Sequence, residues 1–419
     1  MAGDSTMARS KLDLIVYGAS SFVGQLLARE LLLQFGADGD LRWALAGRSR
    51  DKLEALRTQL GTEAQRLPIL LADAADPVAL HKLVGRARAV VSTVGPYALH
   101  GEPLLRACVE RGTDYCDLTG ETPWVQRMIS SYEAAAQASG ARIVHCCGFD
   151  SIPSDLGVWV LQDAAQRQYG EPLSAVQMRV ARLSGGFSGG TVASVLNVLR
   201  EAVADPKVRR GLADPYWLCP APRAGETRPR QPDTRFARYD AQARSWIAPF
   251  IMSGINTRVV QRSHALSQSN LDLTPLLYDE ALLTGAGFSG RLKAIAISTA
   301  LAGFLGVASL PPSRWLLQRW FLPQPGNGPT PQAQQAGGYE LRFDALTRSG
   351  RTLQLTLRGE RDPGYGSTAR MLAQASRCLA LDTAKADYAG GFWTPATLLG
   401  GRLVERLQQH AGLSFELKS

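Results

Sequence analysis

The chain has 419 residues, 45% of them hydrophobic and 20% charged, which suits two globular domains and excludes a fibrous or wholly disordered chain. Lys and Arg number 46 against 37 Asp and Glu, a net charge of +9, and eleven of the basic residues against five acids fall between Asp205 and Arg262. Aromatic residues are only 7% and no zinc finger, RNP motif or compact lysine run occurs, so the basic excess points to an anionic cofactor or a lipid headgroup rather than nucleic acid.

From the N-terminus, residues 1–11 are polar and lack the apolar core of a signal peptide. Short apolar runs then alternate with helical patterns. Leu12–Tyr17, Arg42–Ala46, Pro68–Ala72, Ala89–Thr93, Tyr115–Leu118 and Arg142–Cys146 are predicted strands. Between them Phe22–Leu33, Ser49–Leu60, Asp76–Val84, Glu102–Arg111 and Pro123–Ser139 are predicted helices. That alternation means βαβ units and a parallel sheet, a Rossmann-type domain over residues 10–155. An α+β second domain is expected over 156–419. In it Asp155–Gln166 and Thr191–Ala204 are predicted helices around a strand at Leu173–Leu183, and the basic stretch that follows is expected to form long loops. Ala294–Leu310 is an apolar run between Lys293 and Arg314. A buried helix is the favoured reading of it, an interfacial or acyl-binding segment the alternative, and a membrane crossing the least favoured. Residues 323–338 are linker-like. Beyond them Tyr339–Leu346 and Arg351–Arg358 alternate as a hairpin with one buried face, followed by helices at Ser367–Leu381 and Ala396–His410; this part is expected to complete the second domain, with packing back on the first as a further expectation.

The six cysteines form no C-x-x-C pair, as expected of a reduced, cytoplasmic protein, and the five histidines are scattered without ligand spacing, so no metal is expected.

Gly18-Ala19-Ser20-Ser21-Phe22-Val23-Gly24 stands where the first strand gives way to the first helix, the place at which a dinucleotide pyrophosphate meets free backbone N–H groups. Gly18 suits the tight turn and Gly24 close packing of helix on sheet. Ser21 takes the place of the middle glycine, at a cost of about 1 kcal/mol if the backbone there must be left-handed. After the second strand comes Arg48-Ser49 rather than Asp or Glu, which suits the 2′-phosphate of NADP(H). Asp73 ends the third strand as a candidate partner of the adenine amino group, or simply a turn cap. Gly95, in Val94-Gly95-Pro96-Tyr97 after the fourth strand, would let the nicotinamide approach the backbone.

The motifs GASSFVG, AGRSRDKL, VGPYALHGEPLLRAC, DYCDLTGE and GFDSIPSDLG, in this order, resemble the saccharopine dehydrogenase-like oxidoreductases, and within them the trans-acting enoyl reductase branch of bacterial lipid and glycolipid synthesis. The resemblance is dense from Gly18 to Gly157 and thinner through Ser188–Thr191 and Gly390–Pro395. It implies NADPH binding at Gly18, Ser20, Ser21, Phe22, Val23, Arg48 and Ser49, with Gly95, Pro96 and Tyr97 near the nicotinamide.

For the proton of an enoyl reduction, Tyr97 and Asp150 are the candidate catalytic residues, though Tyr97 suits a pocket wall and Asp150 a helix cap equally well. Glu121 is expected to shape the pocket or pair with an Arg, His145 to be a satisfied core residue, and Cys146 and Cys147 to pack. The expectation is thus an NADPH-dependent enoyl reductase acting on a small-molecule or carrier-linked acyl substrate. It is expected in the cytoplasm, with contact at the inner face of the membrane as a further possibility. A saccharopine-type amino-acid dehydrogenase and a non-catalytic, membrane-associated NADP-binding protein are the alternatives. An amino-acid substrate requires converging Arg side chains in an enclosed pocket, and an acyl substrate an apolar groove.

Overall fold

The computed structural model describes residues 11–185, 189–267, 274–310 and 330–418. Residues 1–10, 186–188, 268–273 and 311–329, the last of which take in Arg314 and the first part of the predicted linker, lie outside the described residues. Two seven-stranded sheets organise the rest.

The first sheet is wholly parallel. Its strands are β1 (Leu12–Tyr17), β2 (Trp43–Gly47), β3 (Ile69–Leu71), β4 (Ala87–Ser92), β5 (Asp114–Asp117), β6 (Arg142–Val144) and a late one, Gly391–Trp393. Across the sheet they run β3-β2-β1-β4-β5-β6 and then the late strand. Helices cover both faces, so the central strands are buried throughout, which is why they read as unbroken apolar runs. Tyr17 is level with Ala46 on one side and Ser92 on the other, so the residues after β1, β2 and β4 emerge at one edge. The strand order reverses between β1 and β4, the crevice where open α/β sheets bind ligands. From that edge start α1 (Phe22–Phe35), α2 (Arg50–Leu60), α3 (Pro77–Val84), the single turn α4 (Tyr97–His100), α5 (Glu102–Arg111), α6 (Thr122–Ser139) and α7 (Ile152–Tyr169).

The second sheet is mixed. It contains β7 (Leu173–Ser184), β8 (Arg238–Asp240), β9 (Ser245–Pro249), β10 (Leu277–Gly285), β11 (Gly338–Thr347), β12 (Thr352–Glu360) and a last strand, Leu413–Lys418. The predicted hairpin is β11 and β12, paired antiparallel, with Tyr339, Leu341, Phe343, Leu353, Leu355 and Leu357 all buried. Helices α8 (Gly189–Ala204), α9 (Pro206–Ala213), α10 (Ser253–Ser267) and α11 (Gly287–Ser309) join these strands.

Three expectations differ from the structure. The chain does not divide once near residue 155: the segment after β12 returns to the first domain. There Thr368–Arg377 packs on α1, Arg361 pairs with Glu30 at 2.8 Å, and Gly391–Trp393 extends the first sheet. Buried Arg142 secures this return, pairing with Asp114 at 2.6 Å and donating to the carbonyl oxygens of Leu379, Thr383 and Ala384. The basic stretch is not simply loops, because α9 and α10 form within it. Arg262 of α10 is buried, donating to the Leu218 and Phe392 carbonyl oxygens and pairing with Glu133. Finally, the apolar run is not a buried helix. It lies within α11, whose Gly290, Ala294, Ser298 and Ala308 are buried while Phe288, Leu292, Ile297 and Val307 face outward.

Candidate functional site

A cavity of about 730 Å³ opens at the β1/β4 crevice and runs between the two sheets. Its floor is the start of α1. Gly18 takes φ +81°, and a Cβ there would fall 2.5 Å from Val94 Cγ2; a Cβ at Gly24 would meet the Gly18 carbonyl oxygen at 2.3 Å. Both positions are thus restricted to glycine, and α1 is drawn down until its N-terminus faces the cavity. Ser21, Phe22 and Val23 line it. The strain anticipated at Ser21 is absent, for its φ is −69°. Ser21 is instead the N-cap: its Oγ accepts from the Gly24 N–H at 3.0 Å and lies 3.0 Å from the Thr93 Oγ1, which donates to the Gly18 carbonyl oxygen at 2.9 Å. Ser21→Ala should therefore lower unfolding free energy by about 1 kcal/mol and Ser21→Gly by only a few tenths, measured by urea denaturation. Ser20 is half-buried beside this turn, and its carbonyl oxygen accepts from Gln25.

Arg48 and Ser49 follow β2 at the same edge. Ser49 caps α2, its Oγ accepting from the Lys52 N–H at 3.4 Å. Arg48 is exposed and makes no ion pair among the described residues, whereas Arg50 is turned to Glu54 at 3.7 Å. Asp73 lies on the neighbouring loop, and both it and Arg48 act electrostatically on the Tyr17 hydroxyl between them. The Asp73 Oδ1 accepts from the Ala75 N–H at 2.9 Å, so Asp73 is a turn cap at the rim. Neither Arg48, Ser49 nor Asp73 lines the large cavity; they stand beyond its α1 end, where the adenosine half of a dinucleotide would extend.

At the other end of the cofactor edge Gly95 and Tyr97 line the cavity. Pro96, joined to Gly95 by a cis peptide bond, begins α4. Tyr97 is a strut: its hydroxyl donates to the Ser92 carbonyl oxygen at 2.9 Å, its ring packs on Trp124, and burial pushes its pKa well up. That commitment leaves it a poor proton donor. Glu121 shapes the pocket wall and pairs with no Arg among the described residues. Its carboxylate accepts from the Tyr97 N–H at 2.8 Å, the Ala98 N–H at 3.0 Å and the Ser194 hydroxyl at 2.8 Å, while burial raises its pKa.

Asp150 lines the same cavity, beside the bare backbones of Gly120 and Gly148, where a Cβ on either would sit 3.2 Å from a carboxylate oxygen. Burial, and then the nearby Asp117 carboxylate, push its pKa up to about 7. It does not cap α7; the neighbouring Ser151 precedes that helix and donates to Asn256 at 3.0 Å, which fixes the loop against α10. His145 is only half satisfied: its Nδ1 lies 2.7 Å from Asp117, while its Nε2 has no partner among the described residues. All four cysteines up to Cys147 are buried and unpaired.

Beyond Asp150 the cavity is mostly apolar, walled by Val195, Val198, Leu199, Ile251, Met252, Ile255 and, from α11, Leu301 and Leu305, with Ser194, Asp233, Thr234 and Ser253 among its polar positions. Its two arginines are already engaged. Arg258 donates to the carbonyl oxygens of Gly254 and Leu212, and Arg235 pairs with Asp233 at 2.6 Å. Sequence reasoning missed Gly364 and Tyr365, which close the cofactor end; Tyr365 meets Phe22 edge-on at 4.8 Å. The signal was the run Asp362-Pro363-Gly364-Tyr365-Gly366, a turn whose Asp362 carboxylate accepts from the Tyr365 and Gly366 N–H groups.

A bound NADP(H) fits this arrangement. The glycine-lined turn admits a pyrophosphate, and an unpaired guanidinium stands after β2. Residues 14–144 match the saccharopine dehydrogenase NADP binding domain. Over 98% of both chains, the sequence is 40% identical to a Mycobacterium tuberculosis protein provisionally named a trans-acting enoyl reductase. It is 36% identical, over 96% of both, to the trans-acting enoyl reductase of Mycobacterium bovis. The fold is similar to that of the Saccharomyces cerevisiae saccharopine dehydrogenase, with a TM-score of 0.52 and 13% identity over 97% of this chain and 99% of that one.

Proposed function

Because the chain belongs to the saccharopine dehydrogenase-like oxidoreductases, in their trans-acting enoyl reductase branch, we propose that it reduces the carbon–carbon double bond of an α,β-unsaturated acyl thioester. It is an NADPH-dependent oxidoreductase with a small-molecule substrate. The observation that carries the finer reading is one cavity shared by the α1 N-terminus, Asp150 and an apolar channel. At about 730 Å³ it has room for a nicotinamide and part of an acyl chain.

NADPH, when bound, supplies a hydride to the β-carbon. Ser21, Phe22 and Val23 would hold its pyrophosphate, Arg48 its 2′-phosphate, and Gly95 leaves room beside the nicotinamide. Asp150, its pKa pushed up to about 7, retains a proton near neutrality and would give it to the α-carbon. Tyr97 and Glu121 hold the wall in place. A carrier-linked, lipid-like substrate suits the apolar channel. A saccharopine-type substrate, bearing several carboxylates, is disfavoured because Arg235 and Arg258 are already bonded within the protein. Asp150 likewise speaks for turnover over a purely binding role. A cytoplasmic site of action fits a chain dependent on NADPH.

The test is NADPH oxidation by the purified protein against enoyl thioesters of graded length, with saccharopine and its precursors as controls. Turnover confined to the enoyl series is expected; turnover confined to the controls overturns the reading. Leu301→Trp should fill the distal channel and lower kcat/KM about tenfold for long chains while sparing short ones, since pocket methylenes are worth roughly 1–3 kcal/mol.

A further inference from the structure

We infer that α11 is a membrane-surface helix: its outer face lies in the headgroup layer of an anionic bilayer, and its inner face borders the channel that takes the acyl chain. The second clause rests on the substrate reading above; the first does not.

The 23 residues of α11 are long and apolar enough to cross a membrane, yet little of the helix is buried. Gly290, Ala294, Ser298 and Ala308 pack inward, where α11 meets α8 and β9, and Leu301 and Leu305 line the cavity. Packing along one side holds the helix against the protein surface rather than across a bilayer. The other side is largely exposed. Phe288 is 74% exposed and Leu292 51%, one turn apart on that side, and the exposed positions that follow along it, Ala296, Thr299, Ala300 and Gly303, carry no charge. An exposed, uncharged helix face that carries large apolar side chains is what an interaction site presents.

Charge selects the partner. The charged residues of α11 are Arg291 and Lys293, both exposed, and it contains no acid. Arg291 lies over the Trp246 ring at 5.4 Å, and Trp246 meets the exposed Tyr239 ring at 5.9 Å. Phe236 is exposed in the segment leading into β8, which α11 also contacts. Aromatic rings with a polar end, cations at one end of an apolar helix face and no carboxylate on it are what an anionic headgroup layer accepts. An ordinary protein partner has no comparable reason to meet two cations followed by an uncharged apolar strip. Because α11 also walls the channel, a lipid-like acyl chain leaving that layer would meet the cavity without crossing water.

Vesicle flotation of the full chain tests this, with phosphatidylglycerol–phosphatidylcholine and with phosphatidylcholine alone. Binding to the anionic vesicles, weakened by salt, is expected. The double variant Phe288→Asp, Leu292→Asp should bind at least ~10-fold more weakly, since burial of two large side chains is lost. Neither substitution touches the cavity lining, so turnover of a short, water-soluble enoyl thioester should be unchanged and serves as the folding control. Equal binding by variant and parent, or no binding by the parent, overturns the inference. So does resistance of the bound protein to alkaline carbonate, which marks a spanning helix, or a dimer that the variant converts to monomer without any vesicle binding. Turnover without flotation sinks this inference alone; flotation without turnover sinks only the enoyl reading.

Discussion

Asp150→Asn should lower kcat on an enoyl thioester by about 10²- to 10⁴-fold, the usual contribution of a positioned general acid, and leave the Kd for NADPH unchanged. The amide keeps the shape of the side chain between Gly120 and Gly148 but has no proton of suitable acidity. The parent enzyme adds a second signature. Asp150 has a pKa raised from 3.8 to about 7, and the acid form is the active one. Its kcat/KM should therefore be flat below pH 7 and fall tenfold per unit above it, a limb that the variant lacks. Stability gives a third, independent readout. A carboxyl whose folded pKa lies above its unfolded one binds its proton more tightly in the native state. Ionisation then opposes folding increasingly from about pH 4 to about pH 7, so Asp150→Asn should gain stability over the parent across that window and hold a constant advantage above it. A variant with full activity would remove Asp150 from the mechanism.

Arg48→Ala should weaken NADPH binding roughly 10- to 100-fold, as expected for a lost charge-assisted contact, and leave NADH binding within twofold. Arg48 is the side chain to test because it makes no ion pair among the described residues, whereas Arg50 turns to Glu54 and Ser49 caps α2. Fluorescence titration with each coenzyme separates the outcomes. Parallel loss of both affinities would mean that Arg48 supports the loop rather than the phosphate, and no loss of either would place the phosphate elsewhere.

The cofactor half of the site was legible because its signals are local. Strands buried on both faces appear as unbroken apolar runs, and the phosphate turn sets Gly18 and Gly24 six positions apart where the first strand gives way to the first helix. Ser21 was misjudged only in its backbone, since a serine can be an N-cap as readily as a strained glycine substitute, and φ decides which. The C-terminal return was hidden for a different reason. Gly391–Trp393 is three residues long, and its place in the sheet is fixed by pairing with β6 and by Arg142, some 240–250 residues earlier. Helix α10 was masked by its own arginines, which carry charge into the core and satisfy it on carbonyl oxygens, so that no apolar stripe shows. For α11 hydropathy gave the right segment and the wrong surroundings. Apolar composition favours burial in protein, but the fully buried residues of this helix are the small ones Gly290, Ala294, Ser298 and Ala308 along one side. Choosing Asp150 over Tyr97 needed coordinates, because only the observed bond from Tyr97 to the Ser92 carbonyl oxygen commits that hydroxyl.

The central claim is that one cavity brings a reduced nicotinamide, an acyl double bond and the Asp150 proton together. Its most direct test is a single turnover of a short enoyl thioester with NADPH deuterated at the transferable position of C4, in ordinary water, followed by mass spectrometry and NMR of the product. One deuterium at the β-carbon and one solvent-derived hydrogen at the α-carbon are predicted. Deuterium at the carbonyl carbon, or an unreduced thioester beside a labelled carbon–nitrogen product from the amino-acid controls, would contradict the account.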